Sequence, residues 1–188
     1  VEIFLDLDEV LVDFLGGACR AHGLTHLEMI RVYGDSVWTG EKFIRPIVGD
    51  ADFWTGLKPF EWADELIALV QRYDSAFHIV TCPLETLTDA GHCQASYTGK
   101  VRWMKQFFGP RFDRFLITPH KYKVAKPGAV LIDDSPPNCN RFVADEKGRA
   151  TGGKAVLFPH RRNDNRHAMT DPVAYVRESL RSLTSSPA

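Results

Sequence analysis

Twice in this chain a short aliphatic run stops on acid: Ile3-Phe4-Leu5 meets Asp6-Leu7-Asp8, and Ala129-Val130-Leu131-Ile132 meets Asp133-Asp134. Brief apolar runs without polar alternation suit strands buried on both faces. A sheet built from such strands must be covered on both sides, so helices have to alternate with strands along the chain. Further strands are predicted at Phe77-His78-Ile79-Val80-Thr81, Phe115-Leu116-Ile117-Thr118 and Ala155-Val156-Leu157-Phe158.

Helical signals fill the intervals. Thr25-His26-Leu27-Glu28 is a capping box, predicting a helix that closes at Gly34. Ala63, Leu66, Ile67 and Val70 fall at helical spacing and predict a helix over about 62–73. Val101, Met104 and Phe108 form a stripe closed by Gly109-Pro110, and a short helix is expected near 138–145. Asp171-Pro172, as cap and first helical residue, opens a last helix carrying Val173, Val176 and Leu180. The expected fold is α/β: a Rossmann-like three-layer α/β/α arrangement with a mostly parallel sheet. Residues 16–60 hold helical patterns and no strand, so they are expected to form a small helical cap inserted after the first strand. The catalytic core then comprises 1–15 and 61–188.

Composition narrows the class. With 188 residues, 44% hydrophobic and 25% charged, the chain excludes disorder and coiled coil. A chain of this size buries roughly 70% of its unfolded surface. No apolar run approaches the roughly 18 residues that span a bilayer, so no membrane partner is expected. An acid already at position 6 argues against a signal peptide. The thiols Cys19, Cys82, Cys93 and Cys139 include no CxxC pair and no zinc-finger spacing, which points to a reducing, cytoplasmic setting. A net charge of −1 makes stable nucleic-acid binding unexpected, although residues 100–126 carry eight Lys or Arg against one acid. That stretch suits either a solvated face or the approach of an anionic ligand.

In open parallel sheets ligands sit beyond the carboxyl ends of the strands. Asp6, Asp8, Thr81, Asp133 and Asp134 all fall there. Carboxylates converging on one edge repel unless a cation lies among them, and oxygen-only ligands favour a hard ion such as Mg2+.

Asp6-Leu7-Asp8-Glu9-Val10-Leu11-Val12-Asp13-Phe14 resembles the first motif of the haloacid dehalogenase-like (HAD) superfamily, Ile79-Val80-Thr81-Cys82-Pro83 its second, and Leu131-Ile132-Asp133-Asp134-Ser135 its fourth. The third motif is a lysine, for which Lys121, Lys123 and Lys126 lie in the right interval. Thr118-Pro119-His120-Lys121 resembles the pattern of the 5′(3′)-deoxyribonucleotidases, which favours Lys121. The resemblance implies a phosphatase in which Asp6 attacks phosphorus, Asp8 acts as general acid and base, and Thr81 and the lysine hold phosphoryl oxygens. It also implies Mg2+ bound by Asp6, the Asp8 carbonyl and the second acid pair, with Asp134 in direct contact and Asp133 acting through water. Because the second acid Asp8 is present, phosphate transfer fits better than dehalogenation.

The deoxyribonucleotidase branch is also resembled by Asp52-Phe53-Trp54 before Gly56-Leu57, by Gly99-Lys100-Val101 before Trp103, and by Gly152-Gly153 before Ala155-Val156-Leu157-Phe158. It implies a nucleoside monophosphate, foremost a deoxyribonucleotide, with Phe14, Phe53 and Trp54 enclosing the base and Cys82 near the phosphate. Trp38 and Phe43 are looser candidates, as are Lys100 and the Cys82–Thr86 loop. Core packing is the competing reading for every aromatic, and a solvated turn for Arg161, Arg162 and Arg166. Glu9 replaces the small residue usual in relatives, and alternation after Asp8 would turn its side chain away from the acids. Alternatives are another small phosphomonoester such as a sugar phosphate, nucleic-acid 3′-phosphate ends, or a non-catalytic binding module. A homodimer is compatible with all of these.

Overall fold

The computed structural model describes residues 1–33, 41–84 and 90–185. The chain divides into two compact units: Val1–Leu11, Phe60–Thr81 and Arg114–Ala188 in the first, Val12–Pro59 and Cys82–Asp113 in the second.

The first unit carries a five-stranded sheet. Its strands are β1 (Glu2–Leu5), β2 (His78–Thr81), β3 (Phe115–Ile117), β4 (Ala129–Asp133) and β5 (Lys154–Leu157). They lie in the order β3-β2-β1-β4-β5, and every pairing is parallel. Phe4 pairs with Leu131 and Leu5 with Ile132, so the two acid-terminated runs are neighbours in register. The chain adds strands outward from β1 on one side and then returns to β4 on the other. The β1–β4 junction is therefore the switch point where open α/β sheets bind ligands.

Both faces of the sheet are covered. Phe4, Val80, Ala129 and Leu131 pack with Phe142, while the alternate residues Ile3, Leu5, Ile79, Val130, Ile132 and Val156 are also buried. Helix α7 (Pro136–Val143) packs on β4 and β5; α8 (Pro172–Ser185) packs on β5 and on α5 (Ala63–Tyr73). Asp171 caps α8 by accepting a 2.9 Å hydrogen bond from the Ala174 N–H. The fold is thus the expected Rossmann-like α/β architecture, with a sheet that is parallel throughout its described strands. No helix of the described residues is long and apolar enough to cross a membrane.

The second unit is helical: α1 (Phe14–Ala21), α2 (His26–Tyr33), α3 (Glu41–Val48), α4 (Ala51–Thr55) and α6 (Ala90–Phe108). The capping box forms, with the Thr25 N–H donating to Glu28 at 2.7 Å and the Glu28 N–H to Thr25 Oγ1 at 3.3 Å. Gly34, the expected end of α2, lies outside the described residues. Residues 82–113 group with 12–59 in this unit. The reason lies at the α4–α6 contact. A Cβ on Gly99 would stand 2.3 Å from the Trp54 Cβ and 2.5 Å from the Ala51 carbonyl, so only glycine permits this approach. Trp103 of α6 then donates its indole N–H to the Leu57 carbonyl at 2.8 Å.

Candidate active site

Asp6 follows β1 directly, and its N–H donates to the Ile132 carbonyl at 2.9 Å, holding it against the end of β4. Its Oδ1 accepts from the Leu7 N–H at 2.7 Å and lies 2.7 Å from Lys121 Nζ. The same ammonium lies 2.6 Å from Asp133 Oδ2. Lys121 opens a short 3-10 turn, Lys121–Val124, and is only 2% exposed. Of the three candidate lysines it is the one brought among the acids. Lys123 is exposed, and Lys126 pairs with Glu2 Oε2 at 2.6 Å, beside the opposite end of β1 from Asp6.

Asp133 is wholly buried and fully engaged. Besides Lys121, it accepts from the Ser135 N–H at 2.8 Å and from Asn138 Nδ2 at 3.2 and 3.1 Å. Asp134 is set differently. Its carbonyl accepts from Asn163 Nδ2 at 2.9 Å, while its Oδ2 faces His160 Nδ1 at 3.6 Å. Asp8 is half-buried in the turn after β1, and Thr81 is buried at the end of β2, where its carbonyl accepts from the Thr118 N–H at 2.8 Å.

Crowding shows in the electrostatics. Burial raises the Asp6 carboxyl to about 7; Lys121 opposes the shift, and the charges of Asp133 and Asp8 add to it. Asp134 is also raised well above the usual carboxylate range, by burial first and then by Asp6, Asp133 and Glu9. One lysine does not compensate this group of acids. Carboxylate oxygens of Asp6, Asp133 and Asp134 lie within 4.8 Å of one another, a hard-oxygen set that fits a cation such as Mg2+. Asp133 already has both oxygens occupied by donors, which leaves Asp6 and Asp134 as the better direct ligands.

The remaining sequence candidates lie in the second unit. Phe14 and Trp54 stack on each other at 5.1 Å and are almost completely buried there. Phe53, half-buried, meets both edge-on at 6.0 and 5.4 Å. Phe43 is buried and stacks on His22 at 4.7 Å. The Cys82 carbonyl accepts from Lys100 Nζ at 2.5 Å, and that ammonium lies 5.1 Å from the centre of the Trp54 ring. Trp38 and Thr86 lie outside the described residues. Arg161, Arg162 and Arg166 are exposed.

Glu9 requires a correction. Alternation would turn it away from the acids, but its φ of +60° breaks the extended pattern. A left-handed backbone at a residue with a bulky side chain costs on the order of 1–3 kcal/mol and persists only where surroundings enforce it. Glu9 is 3% exposed, and its Oε2 lies 3.1 Å from His160 Nε2. Sequence reasoning missed His160, Asn163 and Asn138. The same strand-end rule that selected Asp6 and Asp133 would have found His160, which follows β5 closely.

No protein-family model matches the sequence, and no curated protein matches it. Among solved structures the chain is similar to a HAD family hydrolase from Deinococcus radiodurans R1, crystallised with bound phosphate and sodium. The two are 18% identical, with 100% of this chain and 98% of that chain covered at a TM-score of 0.46.

Proposed function

We propose that this chain is a HAD-type phosphatase that hydrolyses nucleoside monophosphates, deoxyribonucleotides foremost, with Mg2+ at the acid cluster. The observation that carries the reading is the buried Asp6–Lys121–Asp133 bridge at the β1–β4 switch point, with Asp134 beside it. The substrate class rests on the motif resemblance and on Phe53, whose ring is half-buried in an aromatic cluster of the second unit.

In this mechanism Asp6 Oδ1 is held by the Leu7 N–H and Lys121, leaving Oδ2 to attack phosphorus in line. The phosphorus–oxygen bond to the alcohol breaks as the new acyl phosphate bond forms, and Asp8 passes its proton to the departing alkoxide. Asp8 then takes a proton from water, whose oxygen attacks the same phosphorus; phosphate leaves and Asp6 is restored. Thr81 and Lys121 hold phosphoryl oxygens as charge builds on them. The Asp6 carboxylate, the Asp8 carbonyl and Asp134 would hold the cation, with Asp133 acting through water. The cation supplies positive charge that keeps Asp6 ionised and neutralises the phosphoryl group.

The test is phosphate release from a panel of nucleoside monophosphates, sugar phosphates and 3′-phosphorylated oligonucleotides, with Mg2+ and with EDTA. Mg2+-dependent release, greatest from deoxyribonucleotides and absent in Asp6→Asn, is the expected result. Full activity in Asp6→Asn would overturn the covalent mechanism. Greater release from sugar phosphates or oligonucleotides would keep the chemistry and discard the nucleotide assignment.

A further inference from the structure

The residues that hold Asp134, His160, Asn163 and Glu9, have no part in the proposed chemical steps. From the loop after β5, His160 is 4% exposed and spans two carboxylates, with Nε2 at 3.1 Å from Glu9 Oε2 and Nδ1 at 3.6 Å from Asp134 Oδ2. From the turn after β1, Glu9 reaches the ring only because its backbone is left-handed, at φ +60°. Asn163 fixes the base of the arrangement. Its Nδ2 donates to the Asp134 carbonyl at 2.9 Å and to the Phe158 carbonyl at 2.8 Å, and its Oδ1 accepts from the His160 N–H at 3.3 Å. Backbone and carboxylate of Asp134 are thereby tied to the same loop.

We infer that His160 is a positioning residue that holds the Asp134 carboxylate in its cation-binding orientation, and that Glu9 is its anchor. The inference rests on the reading of Asp134 as a direct cation ligand. Three observations support it. Glu9 keeps a strained backbone, which proteins retain where the surroundings make use of it. Histidine and glutamate are both buried, although a solvated pair would be cheaper to maintain. Asp134 differs from Asp133, whose oxygens are fixed by Lys121, Asn138 and the Ser135 N–H; for the Asp134 carboxylate, His160 is the partner the geometry provides. A ligand free to rotate binds more weakly than one held in place, and outer partners of this kind are typically worth about 10–100-fold in metal affinity.

The experiment is a titration of the metal-free 188-residue chain with Mg2+ and with Mn2+ at one fixed pH. Uptake is followed by calorimetry and by the rise in melting temperature, so that no turnover is needed. His160→Ala and Glu9→Gly are each expected to weaken uptake about 10–100-fold. Their combination should be no worse than the weaker single variant, because both act through one contact. Glu9→Gln, which keeps an acceptor for the imidazole, should weaken uptake least. Glu9→Gly also separates this role from a merely structural one: it relieves the left-handed backbone, so the metal-free melting temperature should hold near wild type while uptake falls. Should His160→Ala fail to fold, Glu9→Gly carries the same test. Unchanged uptake in both variants, alongside uptake abolished in Asp134→Asn, would overturn the inference alone. A wild type that takes up neither cation would overturn it together with the metal-dependent reading.

Discussion

Replacing Lys121 by methionine keeps most of the side-chain volume and removes one charge from between two buried acids. The ammonium stands 2.7 Å from Asp6 Oδ1 and 2.6 Å from Asp133 Oδ2, and the side chain is 2% exposed, so water does not take its place. Breaking a buried pair by deleting one partner costs about 3–5 kcal/mol, because the other charge is left uncompensated. At roughly 2–4 °C per kcal/mol for a chain of this size, the melting temperature should fall by about 6–20 °C. The size of the loss should depend on pH. Asp6 in the folded, metal-free protein titrates at about 7, above its ordinary 3.8, so the folded state holds a proton that the unfolded chain releases. Metal-free stability therefore falls as pH rises between those two values. Lysine lowers the Asp6 value, so its removal extends that loss to higher pH. Melting curves in EDTA at about pH 8 and about pH 5.5 should show the larger loss at pH 8, since at the lower pH Asp6 is already neutral. Lys126→Met is the control: it breaks an exposed pair with Glu2 and should cost less than about 1 kcal/mol. Equal losses at both pH values, or a loss for Lys121→Met as small as the control's, would refute the account of the cluster.

Three further outcomes follow from the same geometry. Asp6→Asn should raise the metal-free melting temperature near pH 8, where it removes a buried charge, and change it little near pH 5, as read by thermal denaturation in EDTA. Gly99→Ala should destabilise the second unit by about 1–3 kcal/mol, measured by urea unfolding followed through tryptophan fluorescence, because the added methyl meets Trp54 and the Ala51 carbonyl. Cys139 is buried, and burial pushes its thiol well above the usual range, so mass mapping after iodoacetamide treatment of the folded protein should find it unlabelled at mildly alkaline pH, with half-buried Cys82 labelled before buried Cys19 and Cys139.

The features legible in the sequence share a physical cause that acts within a few residues. A strand buried on both faces writes a continuous apolar run, and its end is marked where the chain first tolerates charge; hence Asp6 and Asp133 were visible, as was the register-independent fact of a covered sheet. The Thr25–Glu28 box was visible for a similar reason, since both partners lie within one helical turn. What stayed hidden depends on contacts between distant segments. That α6 packs with the 12–59 segment rests on the missing Cβ of Gly99, and a lone glycine in a helix does not announce its neighbour. The Thr118–Lys121 pattern favours Lys121 over Lys123 and Lys126, but that a turn buries the first and leaves the other two exposed is a property of the fold. Glu9 and His160 are the clearest case. Each stands just beyond a strand, where the rule that selected the aspartates applies equally, yet they meet across 151 residues of sequence. Their contact exists because one φ is positive, and that angle belongs to the folded structure. A strand-end rule applied to every strand would therefore have nominated both residues, and only the fold could pair them.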